Sequence, residues 1–218
     1  MASKFILLNG HKWRVKLLAE NAVLLENEAA IHHAVHSTTA YIHSIKLDGI
    51  TDVIPTYTSI AIIFDLLLHN SSELIKLLEN SNLAMVSSSS NAKLHCIEVD
   101  YSKGLDWEDV VRMTGLTRAE IIQKHTAKEY LVEMMGFVPG FVYLSGMDVD
   151  LECARRENPR VRIPAGAVGI GGKQTGIYAL ESPGGWQIIG QTDAVLFDPK
   201  AMPPNQLNVG DMVRFVVK

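Results

Sequence analysis

The hydrophobic pattern changes period several times along this chain. Short apolar runs at Phe5–Asn9 and Trp13–Leu18 flank the turn signal Asn9-Gly10 and predict a β-hairpin. Ala22–Glu26 predicts a third strand. Over Ala29–Lys46 the apolar positions Ile31, Val35, Ile42 and Ile45 fall at helical spacing. Asp52–Tyr57 and Ser59–Asp65 predict two more strands. Asn70, with Glu73 three residues on, has the form of a capping box opening a helix through Leu78. Leu94–Val99 is again strand-like. The order β-α-β-β-α-β predicts a ferredoxin-like α/β sandwich.

Two short helices follow, Asp106–Met113 and Arg118–His125, split by Thr114-Gly115-Leu116-Thr117. Gly115 suits the position just past a helix end, and Thr117 with Glu120 forms a second capping box. From Glu129 onward the period turns to that of strands: Tyr130–Met135, Phe141–Leu144, Ala167–Ile170, Ile177–Leu180, Trp186–Ile189, Val195–Phe197 and Met212–Val217. Many short strands with regular turn signals predict a small β-barrel or sandwich. The fold class is therefore α+β. The small-polar run Ser87-Ser88-Ser89-Ser90-Asn91 reads as a linker between residues 1–90 and 91–218.

Composition sharpens this division. Seven of the 8 histidines lie in residues 11–95, whereas Met135–Gln191 holds 11 of the 16 glycines and 4 of the 8 prolines. Glycine allows close approach and left-handed backbone, and proline stiffens turns, so this stretch describes rigid turns that present polar groups at fixed positions. A net charge of −4 argues against nucleic acid or an anionic membrane as a partner. No apolar run approaches the ~20 residues that span a bilayer, and Phe5–Leu8 is too short for a signal-peptide core. Cys96 and Cys153 lie far apart with no CxxC, which fits a reduced cytoplasmic setting.

Several motifs fail on inspection. Gly166–Lys173 lacks the glycine spacing of a phosphate loop, Gln174 stands where Ser or Thr is needed, and a strand follows in place of a helix. His32 and His36 share a helix face, but with His33 and His43 they lack the carboxylate or third ligand a zinc site needs, so no metal is expected. Trp107–Ala127 has a helix-turn-helix outline without the basic second helix of a DNA reader. Cys153, beside Glu152, Arg155 and Arg156, has no base or signature that would make it a nucleophile. A more serious set sits in or beside the turn-rich region: His125, Tyr130, Tyr143, Arg160, Arg162, Gln174, Thr175, Tyr178 and Trp186. Histidine moves protons near neutral pH, arginine clamps carboxylates, and Tyr and Trp wall pockets. The alternative is that Tyr178 and Trp186 are core and the arginines solvated.

The blocks GFVPGFVYLSGMD, PRVRIPAGAVGIGGKQTGIY, SPGGWQIIGQT and LNVGDMVRF resemble the family of the 5-oxoprolinase B subunit, also called allophanate hydrolase subunit 1, which includes the kinase inhibitor KipI. The resemblance is weak over residues 1–95 and dense over 125–218. It implies a cyclophilin-like barrel for the second domain, and as partner a homologous second barrel protein, the 5-oxoprolinase C component. With the A and C components, the chain would open 5-oxoproline to glutamate at the expense of ATP, with Mg and nucleotide held by the assembled complex. On this reading His125, Gln174 and Thr175 are the catalytic candidates. Arg160 or Arg162 would take the substrate carboxylate, and Tyr143, Tyr178 and Trp186 would form the walls. A KipI-like inhibitor would instead dock on a sensor histidine kinase through a patch containing Phe137, Pro139 and Phe141. A component of urea or allophanate metabolism is a third possibility. Where the family often has Cys-Tyr-Gly-Gly, this chain has Asp100-Tyr101-Ser102-Lys103.

Overall fold

The structure, a computed structural model, describes residues 4–27, 29, 32–81 and 92–218. The chain divides into two compact units, Met1–Ser90 and Asn91–Lys218. The run Ser87–Asn91 and the side chains of His32 and His33 lie outside the described residues.

The first unit runs β1 (Lys4–Leu8), β2 (His11–Ala19), β3 (Ala22–Glu26), α1 (His32–Ile45), β4 (Ile50–Pro55), β5 (Ser59–Phe64) and α2 (Ser71–Asn80). Asn9 and Gly10, at φ 50° and 76°, make the two-residue turn that suits a tight hairpin between β1 and β2. The sheet is antiparallel in the order β1-β2-β3-β5-β4. Its buried face carries Trp13, Leu25, Ile60, Ile62 and Phe64, packed with Val35 and Ile42 of α1 and Leu74 and Leu78 of α2. β3-α1-β4-β5-α2 follows ferredoxin-like topology. The position of its last strand, beside β3, is filled by β2 from the N-terminal hairpin. Leu94–Val99, expected from sequence as that last strand, belongs to the second unit.

The second unit contains β6 (Leu94–Val99), α3 (Trp107–Thr114), α4 (Arg118–Thr126), β7 (Glu129–Met135), β8 (Val142–Ser145), β9 (Arg160–Ile163), β10 (Ala167–Gly171), β11 (Gln174–Ile177), β12 (Ser182–Gly184), β13 (Gln187–Gln191) and β14 (Met212–Val217). Seven strands form one sheet, β13-β10-β11-β8-β7-β14-β6. Its two edges meet. Asp100, just past β6, exchanges two backbone hydrogen bonds with Gln191 at the end of β13, at 2.8 and 3.1 Å. That bridge curls the sheet into a barrel and removes an exposed edge. β9 and β12 pair separately as a two-stranded ribbon. Val110 of α3 and Ile121 of α4 join the barrel core of Val132, Leu144, Ile170, Ile177 and Phe215.

Two sequence expectations differ here. The strand expected over Ile177–Leu180 sits at Gln174–Ile177, because the hairpin between β10 and β11 turns on only Gly172-Lys173. Val195–Phe197 contributes only an isolated bridge from Phe197 to Asn205.

Asn70 caps α2 as its sequence predicts. Its side-chain oxygen accepts from the Ser72 and Glu73 amides, both at 3.0 Å, and Glu73 accepts from the Asn70 amide at 3.1 Å. Asn70→Ala is expected to cost about 1 kcal/mol, read as a lower urea midpoint at unchanged slope. An unchanged midpoint would show that the cap contributes nothing.

Candidate functional site

Five aromatic side chains converge on one side of the barrel. Phe141, Tyr143, Tyr178 and Trp186 pack around one another, and Phe137 stands at the rim. Phe141 meets Tyr178 and Trp186 edge-on, at centroid distances of 4.8 and 5.4 Å, and Tyr143 meets Trp186 at 5.7 Å. These T-shaped contacts fix ring positions through the quadrupoles of their π systems. Together with Pro159 and Pro183–Gly185 the rings enclose a cleft of about 300 Å³.

The glycines of this region make room for those rings. A Cβ on Gly171 would stand 2.6 Å from the Trp186 ring, and one on Gly184 would stand 2.5 Å from the Tyr178 hydroxyl. On Gly176 it would strike both the Val142 carbonyl, at 2.6 Å, and Trp186, at 2.9 Å. Phe137 itself has φ 77°, a left-handed conformation uncommon for a bulky residue, and is 60% exposed.

Arg155 is the cation of the cleft. Its guanidinium carbon lies 5.6 Å from the Trp186 centroid, and among the described residues it has no carboxylate partner. Burial pushes the Tyr143 and Tyr178 hydroxyls above their ordinary pKa, opposed at Tyr143 by Arg155 and at Tyr178 first by the Trp186 backbone amide and then more weakly by Arg155, so both remain protonated near neutral pH. In sequence Arg155 reads only as a neighbour of Cys153 on a solvated loop; its stacking on a tryptophan 31 positions away is a tertiary fact.

Behind the cleft lies a buried ion cluster. Asp106, just before α3, is almost fully buried. Its carboxylate receives Arg156 at 2.7 Å, both terminal nitrogens of Arg160 at 2.5 and 2.8 Å, and the Ile188 amide at 2.7 Å. The Arg156 amide also donates to the Gly185 carbonyl at 2.7 Å. One carboxylate therefore ties α3, the segment leading to β9, β9 itself and β13.

The predicted site residues separate into groups. Tyr143, Tyr178, Trp186, Phe137 and Phe141 come together in the aromatic cleft. Pro139 lines a neighbouring recess with Phe137, Met135 and Phe197. Arg160 does not face the cleft as a free carboxylate clamp, because Asp106 occupies its guanidinium in two-point fashion. Arg162 points outward, 76% exposed, and pairs with Glu181 at 2.6 Å. Gln174 is half-buried where β11 begins, opposite Gly171.

His125 and Thr175 are wholly buried in the barrel core. The Thr175 hydroxyl donates to the Gly169 carbonyl at 3.1 Å and so accepts from His125 Nε2 at 2.9 Å. Nδ1 then accepts from the Tyr101 hydroxyl at 2.7 Å. The ring stacks on Phe215 at 4.5 Å. Burial lowers its pKa to about 3, so the imidazole is neutral. With both ring nitrogens and the threonine hydroxyl hydrogen-bonded to one another and to the core, and both side chains fully buried, His125 and Thr175 hold the core together and are not placed to exchange protons with solvent. Cys153 is similarly inert: burial pushes its thiol up to about 12.

The glycine-rich turn does not fit nucleotide phosphates. Gly172 and Lys173 form a two-residue hairpin turn that passes directly into β11, so no helix N-terminus stands there. Among the described residues, no helix is long and apolar enough to cross a membrane.

Residues 13–207 match the family model described as the carboxyltransferase domain, subdomain C and D. The chain is 33% identical to the 5-oxoprolinase B subunit of Bacillus subtilis over 222 residues, covering 94% of this chain and 92% of that one. It is 48% identical to the 5-oxoprolinase B subunit of Haemophilus influenzae over 116 residues, 53% of this chain and 54% of the other. Among solved structures, the crystal structure of TTHA0988 superposes with a TM-score of 0.79 at 29% identity, over 92% of this chain and 40% of that one.

His125 makes a pH prediction. Unfolded histidine protonates near 6.5, whereas the folded residue resists to about 3. Between those values the unfolded chain binds more protons, so stability falls as pH falls, by up to about 1.4 kcal/mol per pH unit. Urea unfolding at about pH 6.5 and about pH 5 should show a shallower pH dependence for His125→Gln than for the wild type. Equal slopes would contradict a neutral, buried His125.

Proposed function

This chain belongs to the carboxyltransferase subdomain C and D family together with the 5-oxoprolinase B subunit, and we propose that it is the B component of an ATP-dependent 5-oxoprolinase. The observation that carries this reading is the pairing of an aromatic cleft with a single lining cation that has no carboxylate partner among the described residues. The substrate has the complementary form: a small, flat lactam ring bearing one carboxylate. The aromatic walls of the cleft would lie against the ring and exclude water. Arg155 would take the carboxylate, in place of the Arg160 or Arg162 expected from sequence. The Tyr143 and Tyr178 hydroxyls, kept protonated by burial, would donate to the lactam carbonyl and orient it.

An unactivated amide carbonyl is a poor electrophile, and ATP supplies its activation when bound. The glycine turn of this chain does not fit nucleotide phosphates, so that binding falls to the partners, the homologous barrel protein that forms the C component and the A component. This chain's part is to bind, orient and dry the lactam. Phe137 favours a second reading. An exposed aromatic held in a left-handed backbone at the cleft rim suits protein docking, including the sensor histidine kinase docking of a KipI-like inhibitor.

In the assembled complex, Arg155→Ala should raise KM for 5-oxoproline and lower kcat/KM by roughly 10- to 150-fold, the range for losing a hydrogen bond to a charged group. Arg162→Ala should leave both unchanged. Wild-type kcat/KM in the Arg155 variant would overturn the assignment. Binding to a kinase dimerisation domain with no ATP-dependent turnover would favour the second reading.

A further inference from the structure

Packing explains why Gly171, Gly176 and Gly184 are glycines. A Cβ on Gly171 or Gly176 would come within 2.6 or 2.9 Å of the Trp186 ring, and one on Gly184 within 2.5 Å of the Tyr178 hydroxyl. Gly185 is different. A Cβ there would meet nothing nearer than Pro159 Cγ at 3.6 Å, the Arg156 carbonyl oxygen at 3.7 Å and Pro159 Cβ at 3.8 Å. Those are ordinary van der Waals contacts, so no neighbour excludes a side chain. The Gly185 backbone also lies outside the left-handed region, so its conformation does not demand glycine.

Nor is Gly185 a hinge. Its carbonyl accepts from the Arg156 amide at 2.7 Å, and Asp106 holds the Arg156 guanidinium at 2.7 Å. Its neighbour Gly184 pairs with Arg160 across β12 and β9. A glycine held this firmly loses more conformational freedom on folding than alanine would, and nothing in the packing offsets that loss.

Gly185 and Pro159 both line the aromatic cleft. The space that a side chain at 185 would fill therefore lies at the cleft wall, between this backbone and the Pro159 ring. We infer that Gly185 sets the size limit of the cleft: the side chain it lacks leaves room, against Pro159, for the body of a flat ring bearing a carboxylate. Because Arg156 and Asp106 hold the backbone, a larger side chain takes that room from the ligand and does not displace the wall. This role rests on the cleft taking a flat ring carboxylate, as in the proposed function. It makes Gly185 a specificity-determining residue and not a catalytic one.

The test is calorimetric titration of the full chain, as wild type, Gly185→Ala and Gly185→Val, with two probes. One is 5-oxoproline; the other is pyrrole-2-carboxylate, a flat ring carboxylate that is not a lactam. Gly185→Val should bind both roughly 5- to 150-fold more weakly, the range for forcing methyl groups into space already used, with Gly185→Ala in between. The thermal midpoint of Gly185→Ala should stay level or rise, because a side chain that fits narrows the unfolded ensemble. A merely structural glycine would give the opposite, a lower midpoint at unchanged affinity. Gly185→Ala keeps the test in force if Gly185→Val does not fold. Binding of 5-oxoproline equally by wild type and both variants would overturn the size limit and leave the lactam reading standing. Binding of pyrrole-2-carboxylate alone, weakened in the variants, would support the size limit and overturn the lactam reading. No binding of either probe to the wild type would overturn both.

Discussion

The Asp106 carboxylate is the contact on which the candidate site depends. It is buried, receives two arginines and a backbone amide, and joins four segments that are remote in sequence. Moving such a charge out of water is costly, and the cost is recovered only with hydrogen bonds of this number and geometry. Removing the carboxylate would leave two guanidinium groups partly buried and uncompensated. What the cluster secures is placement. Through Arg156 and Ile188 it fixes both ends of the segment Gly185-Trp186-Gln187, and that segment contributes a wall to the aromatic cleft.

Packing completes what the ion cluster begins. Close-packed rings need small neighbours, and here glycines on β10, β11 and β12 give Trp186 and Tyr178 space that a single methyl group would occupy. The rings then hold one another edge-on and leave the Arg155 guanidinium lying over the indole. Charge and shape therefore act on the same few residues, with the buried pair behind and the cation in front.

Much of this was legible before the structure. Asn9-Gly10, the Asn70 and Thr117 capping boxes and Gly115 are local signals, and local physics decided them. The glycine-rich blocks coincide with the aromatic cleft, because its rings need missing side chains around them. The polar residues were harder to place, because their roles depend on partners far away in sequence. An aspartate before a helix reads as a cap, yet the Asp106 side chain makes no capping bond and turns instead to Arg156 and Arg160. That choice leaves the Arg160 guanidinium occupied. His125 has the chemistry of a proton carrier, but its place at the end of α4 turns it inward onto Phe215. β9 and β12 were missed because a four-residue and a Pro-containing three-residue strand leave almost no periodic signal.

The central claim is that Asp106 fixes the walls of the aromatic cleft, and amide hydrogen exchange tests it most directly. In Asp106→Asn, exchange at Ile188 and across residues 154–160 and 185–187 should accelerate by at least about tenfold, with β7, β8 and β14 unchanged. Exchange in those segments equal to that of the wild type would contradict the claim and leave aromatic packing alone as what positions the site.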